Sequence, residues 1–354
     1  MNTAERLKAS AGELTDWFVR EKTDYPWRSD RNPYHVWISE IMLQQTRTTA
    51  VIEYYKRFIA IFPSLKSLAE AEEERVLKAW EGLGYYSRAR NLHRCAKMIM
   101  HERGGRFPEE EAELKKLPGI GEYTAGAIAS LAFNRPSPAV DGNILRILAR
   151  FNQDERNVLL PEVKIMARET LSECLKQLEN PGLFNEALME LGERICLPSG
   201  KPRCRFCPLK EACLALKAGL REDLPLRGKP GERRIEKKTV LLLTCGGKTA
   251  LIRRPDKGLL AGLYAFPLLE GHVILNDLNP WLASFDLPYE RPKALPEASH
   301  VFSHVEWQMR GWHIETREEL PGFLYARREE IREKYAIPAA FRTYRDILFK
   351  DHES

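Results

Sequence analysis

The chain has 354 residues, of which 44% are hydrophobic and 30% charged, and its formal net charge is +5 at pH 7. This length exceeds what one hydrophobic core usually supports, so we expect two domains. The mild positive charge only weakly favours a polyanionic partner. No apolar run reaches the roughly 18 residues of a membrane span. The charged segment Met1–Arg20 is unlike a secretory or import signal, so we expect a cytoplasmic protein.

Residues 1–220 have the pattern of a helical domain. Apolar side chains recur at helical spacing in Pro33–Phe62, Ala69–Ala79 and Arg88–Glu102. Glu40 lies on an otherwise apolar helical face, where a carboxylate is costly unless it is partnered or used in catalysis. Burial would raise its pKa and make it a proton donor near neutral pH. A structural glutamate bonded to the backbone is the alternative interpretation.

The segment Leu114–Gly126 predicts two helices joined by a tight turn. Gly119 and Gly121 permit a close backbone turn, and the second helix should begin at about Glu122. Backbone amides at a helix start can bind phosphate without any side-chain charge. The pattern therefore indicates a helical hairpin that grips DNA, although an ordinary packing corner between helices has a similar sequence.

Asp141 follows the hairpin and precedes an amphipathic helix over Ile144–Phe151. Its position is that of an N-cap, where Asp is common for structural reasons alone. A catalytic carboxylate is the second interpretation, and the position itself does not separate the two.

Four of the seven cysteines crowd into one loop, as Cys196, Cys204, Cys207 and Cys213. A disulfide framework would spread its cysteines along the chain. A zinc ribbon would contain two Cys-x2-Cys pairs, and only one is present. Four thiolates on a short loop suit a 4Fe–4S cluster.

A second domain follows the cysteine loop. Arg221–Lys238 is rich in charge, Pro and Gly, as linkers are, and its basic side chains could follow a phosphate backbone or simply be solvated. Thr239–Cys245 and Ala250–Arg254, separated by a Gly-Gly turn, predict a β-hairpin. With one helix expected at Arg327–Glu333, the remainder predicts an α+β domain.

These motifs together resemble the helix-hairpin-helix DNA glycosylases of the endonuclease III superfamily. Pro26-Trp27-Arg28 and the run Pro33–Thr46 resemble the MutY-type adenine DNA glycosylases in particular. The resemblance covers essentially the whole chain and thins over Leu275–Pro296. It implies a mainly α core, built as a six-helix barrel plus an iron–sulfur helical domain, and a C-terminal α+β Nudix-like domain.

The resemblance implies three parts of the chain. Residues 1–222 would form the glycosylase domain, with the hairpin at 114–126 and the 4Fe–4S cluster loop at 196–213. Residues 223–236 would be a linker, and residues 237–354 the Nudix-like domain. The gap between Cys196 and Cys204 is one residue longer than is typical of the family.

The resemblance also implies roles for the two carboxylates. Glu40 would protonate N7 of adenine, and Asp141 would stabilise the sugar cation that develops as the glycosidic bond breaks. Tyr123 stands where bifunctional relatives carry a lysine, and a phenol cannot form a Schiff base. A monofunctional enzyme that leaves an abasic site is therefore implied, with Tyr123 and Asn143 beside the carboxylates.

Further residues match positions of the family that bind the flipped adenine or the DNA. The adenine must leave the DNA stack to reach its pocket. The adenine pocket would include Trp27, Arg28, Leu43 and Glu186. The DNA contacts would be Gln45, Leu83, Tyr85, Gly119 and Gly121, with Gln45 and Tyr85 as wedges. The cluster ligands would be Cys196, Cys204, Cys207 and Cys213.

Phe302-Ser303-His304 matches the family loop that recognises 8-oxoguanine. This base carries an N7–H donor where guanine has only an acceptor, and the Ser303 hydroxyl could accept from it. Phe302 could wedge into the stack, and His304 could add a polar contact. A catalytic Nudix helix needs clustered Arg and Glu, whereas Leu268–Asn276 offers one Glu, so nucleotide hydrolysis is not expected here.

The expected partner is double-stranded DNA with adenine opposite 8-oxoguanine or guanine. No association with a membrane is expected. The protein would act in base excision repair as a monomer, in the cytoplasm of a bacterium and associated with the nucleoid. Three other functions stay open. They are an endonuclease III-like lyase for oxidised pyrimidines, a damage sensor that signals through its cluster, and a hydrolase of the nucleotide pool.

Overall fold

The computed structural model describes residues 1–228, 233–285 and 287–350. The chain forms two compact units, Met1–Glu70 with Asn91–Lys229, and Ala71–Arg90 with Pro230–Ser354. Both units are therefore discontinuous in sequence. The division into residues 1–222 and 237–354 stays a prediction. No helix among the described residues is long and apolar enough to span a membrane.

Residues 1–220 are mainly helical, as predicted. A short 3-10 turn occupies Pro26–Arg28. The helices are α1 Thr3–Ala9, α2 Ala11–Glu21, α3 Pro33–Leu43, α4 Thr48–Ile61, α5 Leu65–Ala69, α6 Glu73–Ala79, α7 Ser87–Arg103, α8 Glu111–Leu114, α9 Glu122–Phe133, α10 Gly142–Asn152, α11 Pro161–Leu175, α12 Pro181–Arg194 and α13 Leu214–Lys217.

The predicted helical run Pro33–Phe62 is in fact two helices. Asn32 caps α3 by accepting from the backbone N–H of Tyr34, and Pro33 occupies the first turn, where its missing N–H is harmless. The run breaks after Leu43, and Gln45 takes a left-handed backbone with φ 56°. Apolar spacing alone did not reveal this break.

The hairpin forms as the sequence predicts. Gly119 has φ 76°, Gly121 caps α9, and α9 begins at Glu122. A Cβ on Gly126 would lie 2.2 Å from the Pro138 carbonyl oxygen, so only glycine lets the chain before α10 lie against α9. This close packing fixes the segment that leads to Asp141.

The first unit buries an apolar core among α1, α2, α10, α11 and α12, with Phe18, Phe151 and Phe184 at its centre. Helix α12 packs against α2, α9 and α10, and α3 packs against α9. Nearly the whole circumference of α3 is buried. The helices that carry the candidate site are therefore packed against other helices of the unit.

The second unit is built on one sheet, with strand order β3-β2-β1-β6-β5. The hairpin of β1 and β2 confirms the predicted Gly-Gly turn, since Cys245 pairs with Lys248. Strand β1 pairs with β6 in parallel. The elements are β1 Arg234–Cys245, β2 Lys248–Arg253, β3 Tyr264–Ala265, β4 Leu268–Glu270, α14 Leu275–Ala283, β5 Lys293–Val301, β6 Val305–Glu315, β7 Leu324–Arg327, α15 Arg328–Glu333 and α16 Arg342–Lys350.

Both faces of the sheet are covered. Val240 and Leu242 point into a core with Trp307 and Phe341, whereas Leu241 and Leu243 enter a second core on the opposite face. This burial explains why the strand is apolar without alternation, as strands buried on both faces are. The helix expected at Arg327–Glu333 is confirmed as α15.

The basic stretch before the sheet differs from the prediction of a linker. Strand β1 already begins at Arg234. Lys238 is buried and pairs with Glu236 at 3.1 Å and Glu270 at 2.8 Å, so its charge is not available to a phosphate backbone. Lys229, also among the basic residues of the stretch, lies outside the described residues.

The middle segment 71–90 is tied to the C-terminal part of its own unit. The Lys78 Nζ donates to the carbonyls of Ile331 and Tyr335 at 3.2 and 3.0 Å. Glu81 accepts from the backbone N–H of Ile337 at 2.9 Å. These bonds explain why the segment groups with the sheet.

Candidate active site

Glu40 is a buried acid of the first unit. It is 4% exposed, on α3 between Trp37 and Ile41, and its Oε2 accepts from the Tyr123 hydroxyl at 2.7 Å. Burial raises the pKa of Glu40 to about 7, and the charges of Asp141 and Glu186 also raise it. The Tyr123 hydrogen bond and, to a lesser degree, the Arg28 charge act in the opposite direction.

Tyr123 lies one residue into α9 and links the hairpin to the acid. Burial first, and then the charges of Glu40 and Asp141, hold the pKa of this phenol well above 10. The hydroxyl therefore stays protonated and donates to Glu40.

Asp141 is the N-cap of α10, as predicted. Its Oδ1 accepts from the backbone N–H groups of Asn143 and Ile144 at 2.9 and 2.8 Å, and its Oδ2 from Asn143 Nδ2 at 2.9 Å. Burial raises the pKa of Asp141, and these bonds oppose that rise. Three N–H donors favour the ionised carboxylate. Glu40, by contrast, accepts one hydrogen bond, from the Tyr123 phenol.

Asn143 connects this cap to the cysteine loop through a buried arginine. Its Oδ1 accepts from Arg146 Nη2 at 3.0 Å. Arg146, 2% exposed, also donates to the carbonyls of Gly192 at 2.9 Å and Cys196 at 2.8 Å. Sequence analysis missed Arg146, although a cation on the buried side of an amphipathic helix signals a partnered charge.

Two of the predicted pocket residues, Arg28 and Glu186, form an ion pair whose charges act on Glu40. Arg28 Nε contacts Glu186 Oε1 at 3.0 Å, and the other oxygen of Glu186 contacts Arg31 at 2.9 Å. Trp27 is buried and stacks on Tyr25, with 4.8 Å between the ring centroids. The charges of Arg28 and Glu186 both alter the pKa of Glu40.

Glu190 is a pocket residue that sequence analysis missed. It is fully buried, one helical turn after Glu186, and its Oε2 contacts Arg28 Nη1 at 2.8 Å. Its signal in the sequence was the spacing: two glutamates four residues apart on one face of an apolar helix.

The ends of α3 and the hairpin present the predicted DNA contacts of this unit. Leu43, the last residue of α3, is part-buried, and Gln45 is exposed on its left-handed backbone. Such strain in a non-glycine residue is typical of functional positions. At Gly119 a Cβ would approach Asn91 Cβ to 2.6 Å, and Gly121 opens α9, whose first amides have no helical partner.

The four clustered cysteines line one cavity with Ile147, Phe151 and Leu191. All four are free thiols, and Arg150 Nη1 donates to the Cys196 sulfur at 3.3 Å. No three candidate ligands among the described residues lie close enough to hold a single metal ion. The surrounding residues Lys201, Arg203, Arg205 and Lys210 are exposed.

The remaining predicted residues lie in the second unit. The Tyr85 hydroxyl is 3.1 Å from the Ser303 hydroxyl, and Tyr85 is half-exposed with φ 45°. Leu83 is buried. Ser303 and His304 are exposed in the turn between β5 and β6, whereas Phe302 packs edge-on against Trp307 at 5.0 Å.

The chain is similar in sequence to known DNA repair proteins. Residues 38–177 match the HhH-GPD superfamily of base excision DNA repair proteins, and residues 239–346 match the NUDIX domain. The mouse adenine DNA glycosylase is 35% identical over 363 residues, which cover 85% of this chain and 69% of the relative. The chain belongs to the adenine DNA glycosylase family. It is an enzyme that excises adenine in base excision repair.

A bacterial relative and a solved structure support the same family and fold. The adenine DNA glycosylase of Buchnera aphidicola subsp. Baizongia pistaciae is 37% identical over 284 residues, covering 79% of this chain and 78% of the relative. A thermostable thymine-DNA glycosylase superposes with a TM-score of 0.53 at 26% identity, covering 60% of this chain and 98% of that chain. The predicted fold, a helix-hairpin-helix core followed by a Nudix-like domain, is confirmed.

The substitution Glu40→Gln should stabilise the protein above neutral pH. The pKa of Glu40 is about 7 when folded against an ordinary 4.5. Only the folded protein holds this proton between those values, so this carboxyl's contribution to stability falls as pH rises through the window. The variant has no carboxyl at this position and does not lose this stability. Its unfolding free energy relative to wild type should therefore rise by on the order of 3 kcal/mol as pH increases through this window.

Urea unfolding of both proteins from about pH 4.5 to about pH 8 measures this difference. Glu53→Gln on α4 is the matched control, because Glu53 is exposed and pairs only with Lys56. A difference between Glu40→Gln and wild type that is constant over the whole range would show that Glu40 ionises normally.

Proposed function

We propose that this enzyme is monofunctional and removes adenine paired with 8-oxoguanine or guanine from double-stranded DNA. The observation that carries the proposal is the buried Glu40–Tyr123 hydrogen bond beside the capped Asp141. It combines a carboxyl group protonated near neutral pH with a carboxylate favoured as the anion. This is the pair that cleavage of a glycosidic bond requires.

In this mechanism Glu40 donates its proton to N7 of the flipped adenine, which weakens the bond to the sugar. Asp141, ionised with three N–H donors, stabilises the positive charge that develops on the sugar. Asn143 orients that carboxylate, and Tyr123 orients Glu40. Water then completes the hydrolysis. Trp27, Leu43 and the Arg28–Glu186 pair hold the base.

The phenol that bonds to Glu40 supports monofunctional chemistry. Tyr123 faces the carboxylate, and its neutral phenol cannot form the imine that strand cleavage by a lyase needs. The expected product is an abasic site with an intact backbone. In the first unit, Gln45 would act as a wedge in the space that the base leaves, and the hairpin amides at Gly119 and Gly121 would bind phosphate. In the second unit, Tyr85 would act as a wedge and Leu83 as a DNA contact.

The four cysteines fit a 4Fe–4S cluster, which would hold the loop in a shape that faces DNA. Three observations support the fit: the shared cavity, the free thiols and the Arg150 donor to Cys196. Cys204, Cys207 and Cys213 would be the other ligands. Iron and acid-labile sulfide in the purified protein, lost on Cys204→Ser, test this. Protein with an intact fold and no iron would contradict it.

A single-turnover assay on duplexes with adenine opposite 8-oxoguanine, guanine and cytosine tests the activity. We expect base release fastest opposite 8-oxoguanine and slowest opposite cytosine. Glu40→Gln should slow it by about 10²–10⁴-fold, the usual contribution of a general acid, whereas Glu53→Gln should not. Efficient covalent trapping with borohydride on an oxidised pyrimidine would instead indicate a lyase.

Recognition of 8-oxoguanine by Ser303 can be measured separately. Its hydroxyl is an acceptor for the N7–H that guanine lacks. Ser303→Ala should therefore lower the preference for 8-oxoguanine over guanine by about tenfold, since one hydrogen bond is lost. Ser299→Ala, at an exposed position of β5, is the control. An unchanged preference in Ser303→Ala would remove this residue from recognition.

The proposed enzyme is a monomer of the bacterial cytoplasm, associated with the nucleoid. The exposed basic residues around the cysteine loop and the hairpin amides support binding to DNA.

A further inference from the structure

We propose that Glu190 is a positioning residue for base recognition, which holds the Arg28 guanidinium so that its Nη2 group is left to bind adenine. The inference rests on the adenine pocket proposed above and names a residue that acts through Arg28. The two oxygens of Glu190 divide their contacts between the chain and the arginine, and this division carries the argument.

One oxygen of Glu190 is fixed by the chain. Oε1 accepts from the backbone N–H of Thr23 at 3.0 Å and from its hydroxyl at 2.7 Å. Arg194 Nη1, on the next turn of α12, lies 3.3 Å from the same oxygen. The carboxylate is fully buried, so these donors define one orientation.

The other oxygen of Glu190 forms an ion pair with Arg28. Oε2 lies 2.8 Å from Arg28 Nη1, which also donates to the Thr23 carbonyl at 2.9 Å, while Nε contacts Glu186. The guanidinium lies over the rings of Phe18 and Tyr25, at 5.2 and 4.9 Å from their centroids. Its plane and its rotation are therefore both determined.

This arrangement leaves one donor group of Arg28 without a protein acceptor. None of the described residues accepts a hydrogen bond from Nη2, although the side chain is only 11% exposed. The ring nitrogens of adenine are acceptors that a guanidinium N–H can recognise. Glu186 alone would not fix Arg28 in this way, because Glu186 is shared with Arg31.

The substitution Glu190→Gln replaces the oxygen that contacts Arg28 by an NH₂ group and removes the charge of the carboxylate. The glutamine amide oxygen can still accept from Thr23, but its NH₂ group then faces Arg28 Nη1, donor against donor. The expected result is weaker binding only of the duplex that carries the adenine base. Two probes separate this from general damage: a duplex carrying 2′-fluoro-2′-deoxyadenosine, which resists cleavage, and one carrying a tetrahydrofuran abasic site, both opposite 8-oxoguanine.

We expect Glu190→Gln to bind the adenine duplex about tenfold more weakly, and the abasic duplex within about twofold of wild type. In an Arg28→Ala background the same substitution should add nothing to the binding loss, because the two residues act as one unit. Glu169→Gln, the same change at an exposed position of α11, should bind both duplexes as wild type does.

Equal weakening on both duplexes would assign Glu190 a merely structural role and overturn the inference, as would full additivity with Arg28→Ala. If Glu190→Gln does not fold, Glu190→Asp replaces it, with the same selective loss expected. Failure of the wild-type enzyme to excise adenine opposite 8-oxoguanine would overturn the proposed function instead. Wild-type excision with no selective loss in the variant would overturn only the role of Glu190.

Discussion

The hydrogen bond from the Tyr123 hydroxyl to Glu40 joins the two elements on which the site depends. One is α3, which buries an acid among apolar side chains. The other is α9, whose first turn begins at the glycine hairpin. Burial keeps Glu40 protonated near neutral pH, and the phenol holds its oxygen in place without adding a charge. Because Tyr123 follows the hairpin by two residues, the segment expected to grip DNA is directly continuous with the side chain that bonds the acid.

Asp141 extends this constraint to the rest of the unit. Its cap bonds start α10, and α10 in turn places Arg146 and Arg150 against the cysteine loop. The same residue is therefore a structural cap and a candidate catalytic anion, so the two interpretations of its position do not compete. Cap geometry supplies the donors that favour its ionised form.

Motifs with local causes could be predicted from the sequence. The glycines of the hairpin, the cap at Asp141 and the Gly-Gly turn before β2 each follow from backbone requirements within a few residues, and the structure has them where expected. The roles of Glu40 and Tyr123 needed the family resemblance, because composition and spacing do not tell a catalytic acid from a buried structural one.

Features set by distant packing could not be predicted. The break at Gln45 falls within the polar run Gln44–Thr49, but the left-handed backbone of a glutamine has no local sequence signal. Lys238 looked like part of a basic linker, but β4 brings Glu270 to it across the sheet. Glu190 contacts Arg28 over a long sequence separation, and such pairs appear only when the helices are assembled.

The central claim is that Glu40 acts as an acid whose pKa is set by its buried surroundings. The most direct measurement is the single-turnover rate of adenine release as a function of pH, for wild type and Tyr123→Phe. The wild-type rate should fall as pH rises through about 7. Removing the phenol, whose bond lowers the pKa of Glu40, should move that fall to higher pH. A wild-type rate independent of pH, or a fall that Tyr123→Phe leaves in place, would contradict this account.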